Sequence, residues 1–435
     1  NLMKIPLVLT NKSFAIYGLG NTGRSVINFF NKIKFKNYLI WDDNKSIRNL
    51  WNLNKHKKKT FFKSINSVDH IIISPGINIK KKGIKRALFK NKHKIITDLD
   101  LFFLIYPKIK SIVVTGTNGK STTCKIIEHV LKKNNFNAKL GGNIGKPILS
   151  LKLNKNSFLV IEASSFQLAY SKYINPKYAL LINITKDHLD WHESMKNYIQ
   201  SKIKIFSLQK NNSYALLNSR KLLKIFKKNR FKAKLKFINI KNYKKIKNKI
   251  LNRYLNLQAN DENVSFVYEL SKLLKIKKKS FIKSLQSFKG LDHRHEIFYK
   301  KENKTFINDS KATSFEATRF ALKNYKNIFW IVGGLPKVGD KFKTDRVTKN
   351  VSKAYIIGKN MKTYKNFLRG KVHMKFCRTL NYAVISIFKD TKNIKRKKVV
   401  ILLSPAAASY DQFKNFEERG HEFKKLIKRY VNKRF

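Results

Sequence analysis

Short apolar runs that stop abruptly at glycine or a small polar residue recur along this chain, and they constrain its fold more than any other feature. SFAIYGLG, NYLIWDD and DHIIISPG lie near the start; SIVVTG, FLVIEAS and YALLINIT follow; TFINDS, NIFWIVGG, KAYIIG and VVILLSP come last. Each reads as a strand ending in turn residues. Segments between them, such as SVINFFNKI, have helical spacing. Alternating strand and helix predicts an α/β protein with parallel sheets. The pattern restarts at Ile112 and again near FKGLDHRHE (288–296), so three α/β domains are expected, over 1–98, 99–289 and 290–435. The very basic segment 220–255 reads as peripheral strands and loops with solvated lysines. In open parallel sheets, ligands bind beyond the strand ends that carry polar residues.

Composition excludes several classes of function. At 42% hydrophobic and 12% aromatic residues the chain can fill real cores, which excludes wholesale disorder. Its two cysteines, Cys124 and Cys377, form no CxxC pair, so neither a disulfide framework nor a cysteine zinc site is expected, and a reducing cytoplasm fits. No apolar stretch reaches 18 residues and LFFLIY (101–106) is far too short to span a bilayer, so no membrane insertion is expected. The N-terminal apolar run leads straight into a strand and a glycine turn, and is not read as a signal peptide. The formal charge of +70 admits two readings, a polyanionic partner or drift toward A/T-rich lysine codons. The lysines are spread along the whole chain, whereas nucleic-acid sites concentrate theirs, so no specific nucleic-acid partner is expected.

Two glycine turns carry the chemistry. GLGNTG (18–23) follows a strand, precedes a helix, and has Asp42 at the end of the next strand. This is the dinucleotide fingerprint, with glycines for a tight turn and a helix N-terminus for phosphate, and it suits NAD, FAD or another nucleotide. GTNGKST (116–122) is more specific. Its backbone N–H groups can cradle phosphates, Lys120 can reach the β- and γ-phosphates, and the Ser121 or Thr122 hydroxyl can ligate Mg²⁺. Glu162, at the end of FLVIE, is placed to face that loop and serve the metal. His188 of NITKDHLD lies just past another strand, where a metal or phosphate role is favoured.

GTNGKST, GGNIG (141–145), EASSFQL, ITKDHLD, GLDHRHE, NDSKAT (308–313) and SPAAASYDQFKNFEERGHEF (404–423) occur in this order. Together they resemble the Mur ligase family of cell-wall peptide synthetases, over nearly the whole chain. SSFQL and the C-terminal segment resemble its D-glutamate-adding branch. The resemblance implies a Rossmann-like N-terminal domain, a central P-loop mononucleotide-binding domain and a Rossmann-like C-terminal domain. It also implies ATP-dependent ligation of D-glutamate to UDP-N-acetylmuramoyl-L-alanine through an acyl phosphate, by a cytoplasmic monomer.

The first glycine turn would then bind the uridine diphosphate, with Asn21, Thr22, Asp42, Asp43 and Gly76 on that site. Asn143, Ser164 and His188 would reach the same substrate from the central domain. Gly116, Thr117, Asn118, Gly119, Lys120, Ser121 and Thr122 would hold ATP, and Asn263 the adenine. Ser121, Glu162, His188 and Lys202 would serve two magnesium ions, Lys202 as a carbamylated lysine; Lys120, His188 and Lys202 carry the catalysis. Arg294, Asp309 and Lys311 would contact the ATP phosphates and ribose. Thr313, Lys337, Ser409 and Phe416 would form the D-glutamate site.

Overall fold

The computed structural model describes residues 5–51, 58–80, 85–252, 254–336, 342 and 346–432. Among them the strands form three sheets. The first contains β1 (Phe14–Tyr17), β2 (Tyr38–Trp41), β3 (His70–Ile73) and β4 (Ile95–Ile96), in the order β2-β1-β3-β4 and all parallel. The second contains β5 (Lys110–Thr115), β6 (Asn137–Gly142), β7 (Ser157–Glu162), β8 (Tyr178–Leu181), β9 (Tyr214–Leu217) and β10 (Lys234–Phe237), in the parallel order β10-β9-β8-β5-β7-β6. The third contains β11 (Glu296–Lys301), β12 (Lys304–Asn308), β13 (Ile328–Gly333), β14 (Val351–Ile357), β15 (Met374–Arg378) and β16 (Val399–Leu403). Its order is β11-β12-β16-β13-β14-β15, with only β11 antiparallel.

The central strands are apolar at successive positions because helices cover both faces of a parallel sheet. β7, for example, is buried at all six residues. In the second sheet β5 lies between β7 and β8, with Val114 beside both Glu162 and Leu180. The chain leaves β5 toward one edge and later crosses to the other. The crevice beyond the carboxyl end of β5 is therefore the topological switch point. β1, between β2 and β3, has the same position in the first sheet.

The first two sheets share one core. Phe14, Phe30, Leu99, Phe102, Leu159, Ile161 and Leu217 belong to a single buried cluster, although the sheets themselves are separate. The helix Asp98–Ile105 supplies Leu99 and Phe102 to it. Thr97 caps that helix in a reciprocal box with Asp100. The other Asp100 oxygen accepts from the Lys172 and Tyr173 N–H groups at 2.8 and 2.7 Å. One buried carboxylate thus starts the helix and ties it to the central sheet's connections. The chain accordingly divides into two compact units, Asn1–Phe288 and Lys289–Phe435, the first holding two sheets.

The expectation of strands and loops over 220–255 is corrected. Helices Arg220–Lys228 and Ile240–Lys247 flank β10 there. Leu222 and Phe226, four residues apart, bury one face of the first helix while its lysines stay in water. The lysine density hid that period. Among the described residues, no helix is long and apolar enough to cross a membrane.

Phe102 is fully buried at the junction of the two sheets. Phe102→Ala is expected to destabilise the N-terminal unit by about 3–5 kcal/mol through lost burial and a cavity. Denaturant unfolding checks this; a loss below about 1 kcal/mol would show that this core does not hold the sheets together.

Candidate active site

The loop after β5 is held from both sides. Gly119 precedes the helix Lys120–Lys133 with φ 78°, a left-handed turn that aims the helix N-terminus into the crevice. Asn183, after β8, acts as a clamp. Its Oδ1 accepts from the N–H groups of Thr117 and Asn118 at 3.1 and 2.9 Å, and its amide donates to Asn118 O and to Glu262 Oε2. The other Glu262 oxygen accepts from Asn218 at 2.7 Å. Thr117 Oγ1 meets Tyr198 OH at 2.9 Å. Lys120 folds over its own loop, donating to Gly116 O at 3.0 Å and Thr117 O at 2.9 Å. Ser121 and Thr122 are buried in the first turn of the helix.

Glu162 stands at the end of β7 and is 2% exposed. Its Oε1 accepts from Asn143 Nδ2 at 2.8 Å, while Oε2 is buried without a hydrogen-bond partner. Lys202, on the helix Met195–Ile203, is 1% exposed, so it is not the solvated lysine that its sequence context alone would suggest. Its Nζ donates to Gly116 O at 2.7 Å, the same carbonyl that Lys120 uses. Burial pushes the Lys202 ammonium well below the usual lysine range, the Lys120 charge pushes the same way, and Asp187 and Glu162 oppose. His188 holds a left-handed φ of 51°, packs on Phe166 and lies 3.4 Å from Asp187. Its imidazole is shifted down by burial. Among the described residues, no three His, Cys, Asp or Glu side chains cluster as a ready metal site.

Ser164 is the N-cap of Ser165–Tyr170, where its hydroxyl accepts from Gln167 N–H. Asn263 packs on the phosphate loop: Thr123 Oγ1 donates to its Oδ1 at 3.3 Å, and a Cβ on Gly119 would stand 2.1 Å from that oxygen.

Asp42, at the end of β2, accepts from Leu19 N–H at 2.7 Å and Asn44 N–H at 2.8 Å, which shapes the first glycine turn after β1. Asp43 accepts from Tyr17 OH at 2.6 Å. Gly23 lets the following helix approach β1, because a Cβ there would lie 2.0 Å from Gly18 O. Asn21 and Thr22 open that helix, and Gly76 is exposed in the turn after β3.

In the C-terminal unit Asp309 is buried at the end of β12, accepting from Ser404 Oγ at 2.6 Å and His295 N–H at 3.2 Å. Burial raises its carboxyl pKa, against His295 and the Ser404 bond. Arg294 closes the turn that begins at Leu291, and Lys311 Nζ lies 5.3 Å from the Phe416 ring centroid. Thr313 is exposed and Ser409 is buried. Lys337 lies outside the described residues.

A family model for the Mur ligase middle domain matches residues 114–290, and one for the Mur ligase MurD-like N-terminal domain matches residues 12–96. The UDP-N-acetylmuramoylalanine–D-glutamate ligase of Rickettsia prowazekii (strain Madrid E) is 34% identical to this chain, across 96% of it and 98% of the relative. The chain belongs to the Mur ligase family. The ligase of the same name from Oenococcus oeni is 33% identical, over 96% of this chain and 97% of its own. Solved Mur ligases share the fold. UDP-N-acetylmuramate-alanine ligase of Thermotoga maritima aligns at a TM-score of 0.57 with 18% identity, covering 97% of this chain and 99% of its own. MurF ligase of Thermotoga maritima, solved in complex with ADP, aligns at 0.51 with 16% identity over 86% and 94%.

Within this Mur ligase, Lys202 and Asn263 contact the loop that carries Lys120, and Glu162, held by Asn143, stands on the neighbouring strand end beside Val114. Sequence reasoning missed Asn183, Tyr198 and Glu262 as supports of this loop. Asn183 had a signal, as a polar residue at the end of the apolar run YALLIN. Glu262 had none, since its partners come from distant turns.

His192 lies under this site, buried, stacked on Phe166 and 3.0 Å from Ser165 Oγ. Burial lowers its pKa from 6.5 to about 4. The folded state therefore binds fewer protons between those values. Its stability contribution is complete above pH 6.5 and is lost as the pH falls toward 4. His192→Phe, which never titrates, should lose this part of the pH dependence. Unfolding curves between pH 4 and pH 7 read it; a difference between variant and wild type that stays constant over that range would refute the assignment.

Proposed function

We propose that this chain joins D-glutamate to the L-alanine carboxylate of UDP-N-acetylmuramoyl-L-alanine at the expense of ATP. One observation carries the reading: the phosphate loop, the unpartnered Glu162 oxygen and the buried Lys202 amine converge beyond β5, in a chain about one-third identical to enzymes of that name across nearly their full length.

The residues fit magnesium. Ser121 offers a hydroxyl and Glu162 a free carboxylate oxygen, the hard donors this ion takes. His188 completes the proposed set, with Lys202 as its carbamate. Burial and the Lys120 charge favour the neutral Lys202 amine, the form that adds CO₂. Bound there, the ion would neutralise phosphate charge and polarise the transferred group.

A carboxylate resists attack by an amine, so it is first phosphorylated. The alanine carboxylate takes the γ-phosphoryl group of ATP, giving an acyl phosphate. The D-glutamate amine then attacks the acyl carbon, and phosphate leaves. Lys120 would turn from the loop carbonyls to the phosphates, and the helix N-terminus would bind them through backbone N–H groups. Asn143 orients Glu162. The uridine diphosphate is assigned to the turn at Asn21, Thr22, Asp42, Asp43 and Gly76 in domain 1–98. ATP is assigned to domain 99–289. The amino acid is assigned to Thr313, Lys337, Ser409 and Phe416 in domain 290–435. The protein is proposed to work as a cytoplasmic monomer.

ADP release should require Mg²⁺, ATP, UDP-N-acetylmuramoyl-L-alanine and D-glutamate together, with D-glutamate preferred over L-glutamate, L-lysine and diaminopimelate. Preference for another amino acid would move the chain elsewhere in the family. Lys120→Ala should lower turnover by about 100-fold or more. Lys202→Ala should lose activity that added short carboxylates partly restore; no restoration would count against the carbamate.

A further inference from the structure

Arg419 is the one arginine among the largest fully buried side chains, 1% exposed in the first turn of the helix Phe416–Val431. Its Nε donates to Ser310 Oγ at 3.0 Å, and its Nη2 to Ser310 O at 2.8 Å and Ala407 O at 2.9 Å. All three acceptors are uncharged. Asp411 attracts it from beyond hydrogen-bond distance, with one oxygen already accepting from Lys359 N–H at 3.0 Å. Among the described residues Arg419 forms no ion pair, so its desolvation is offset only by neutral acceptors and by the more distant Asp411. Burial lowers the Arg419 pKa to about 10, which leaves it charged at neutral pH.

Its location gives that charge a use. Ser310 follows β12 and Ala407 follows β16. Gly334 follows β13, and a Cβ there would lie 3.4 Å from Arg419 Nη1. The guanidinium therefore sits beneath the carboxyl ends of three adjacent strands, where the third sheet reverses its order. Ser310 Oγ in turn donates to Phe416 O at 2.8 Å. Three described positions assigned to the amino acid lie next to these fixed points: Thr313 after Ser310, Ser409 after Ala407, and Phe416 directly.

We propose that Arg419 is the positioning residue of the amino-acid site and that its buried charge makes the site prefer a dicarboxylate. This rests on the ligase reading above. The planar fork fixes the turns that carry the contacts. The net positive potential favours the second carboxylate of the substrate over a neutral amide of equal shape, without Arg419 having to touch it.

The test uses the full chain and compares wild type with Arg419→Met and Arg419→Lys. ADP release is measured against D-glutamate, D-glutamine and ATP. In Arg419→Met the KM for D-glutamate should rise by about 30-fold or more, with the KM for ATP within about twofold, as expected for losing a buried charge from one site. The D-glutamate to D-glutamine ratio of kcat/KM should fall by about tenfold or more. Arg419→Lys should recover the ratio, because the charge remains, but not the full KM, because the fork is gone.

A merely structural arginine would raise both KM values together and leave the ratio unchanged; either result overturns the proposal. If thermal melting shows that Arg419→Met does not fold, Arg419→Lys decides: a wild-type ratio with a raised KM supports the inference, and a lost ratio overturns it. Failure of the wild type to use D-glutamate would overturn the ligase reading itself. A competent wild type with an unchanged ratio in Arg419→Met would overturn only the role given to Arg419.

Discussion

Two ammonium groups share one carbonyl. Lys120 and Lys202 both donate to Gly116 O, at 3.0 and 2.7 Å. Like charges this close repel strongly in a buried setting. The arrangement is stable only with one amine neutral or with an anion between them. Burial favours the neutral form of Lys202, against Asp187 and Glu162. A triphosphate would draw Lys120 off the carbonyl, while CO₂ would convert Lys202 from a competing cation into a carboxylate. The loop at Gly116 thus holds a charge conflict that the proposed ligands would resolve.

That conflict requires a rigid loop, and the surrounding contacts provide it. Asn183 grips two successive backbone N–H groups and is itself held by Glu262, which Asn218 also holds. Three strand ends and one helix start are locked by a few polar side chains. Below them the shared core, capped at Thr97 and tied by Asp100, keeps the first sheet with the second. Crevice geometry is therefore set by packing that lies well away from the reacting atoms.

Much of this was legible in the sequence. The strand-to-turn punctuation of SFAIYGLG, SIVVTG and VVILLSP located strands, because fully buried parallel strands must be continuously apolar. Glycine turns located two strand-to-helix junctions, because few residues accept the backbone angles of Gly18 and Gly119. Legibility failed where the decisive property was an environment. Lys202 looks like any other lysine until burial is known. Glu262 has no local pattern, since Asn183 and Asn218 reach it from other turns. The helices within 220–255 were hidden because lysine fills the exposed positions whose polar variety usually marks a helical face. Arg419 could have been found: with Phe423, Leu426 and Tyr430 it falls on one helical stripe of otherwise apolar residues.

The unequal charge sharpens the meaning of each carboxylate. With 25 acidic residues against 95 lysines and arginines, acids are too few to neutralise the surface. Several are placed inside instead. Asp100 starts a helix and anchors a loop, Asp309 fixes the end of β12, and Glu262 braces the phosphate loop. Glu269, 1% exposed, binds Lys236 and Lys272. Glu162 differs from all of these, because its buried Oε2 has neither a hydrogen bond nor an ion pair among the described residues, whereas Glu269 Oε2 has Lys236 Nζ at 3.3 Å. In a protein with lysine available almost everywhere, no lysine among the described residues pairs with that oxygen. It is the oxygen that the proposed magnesium ion would take.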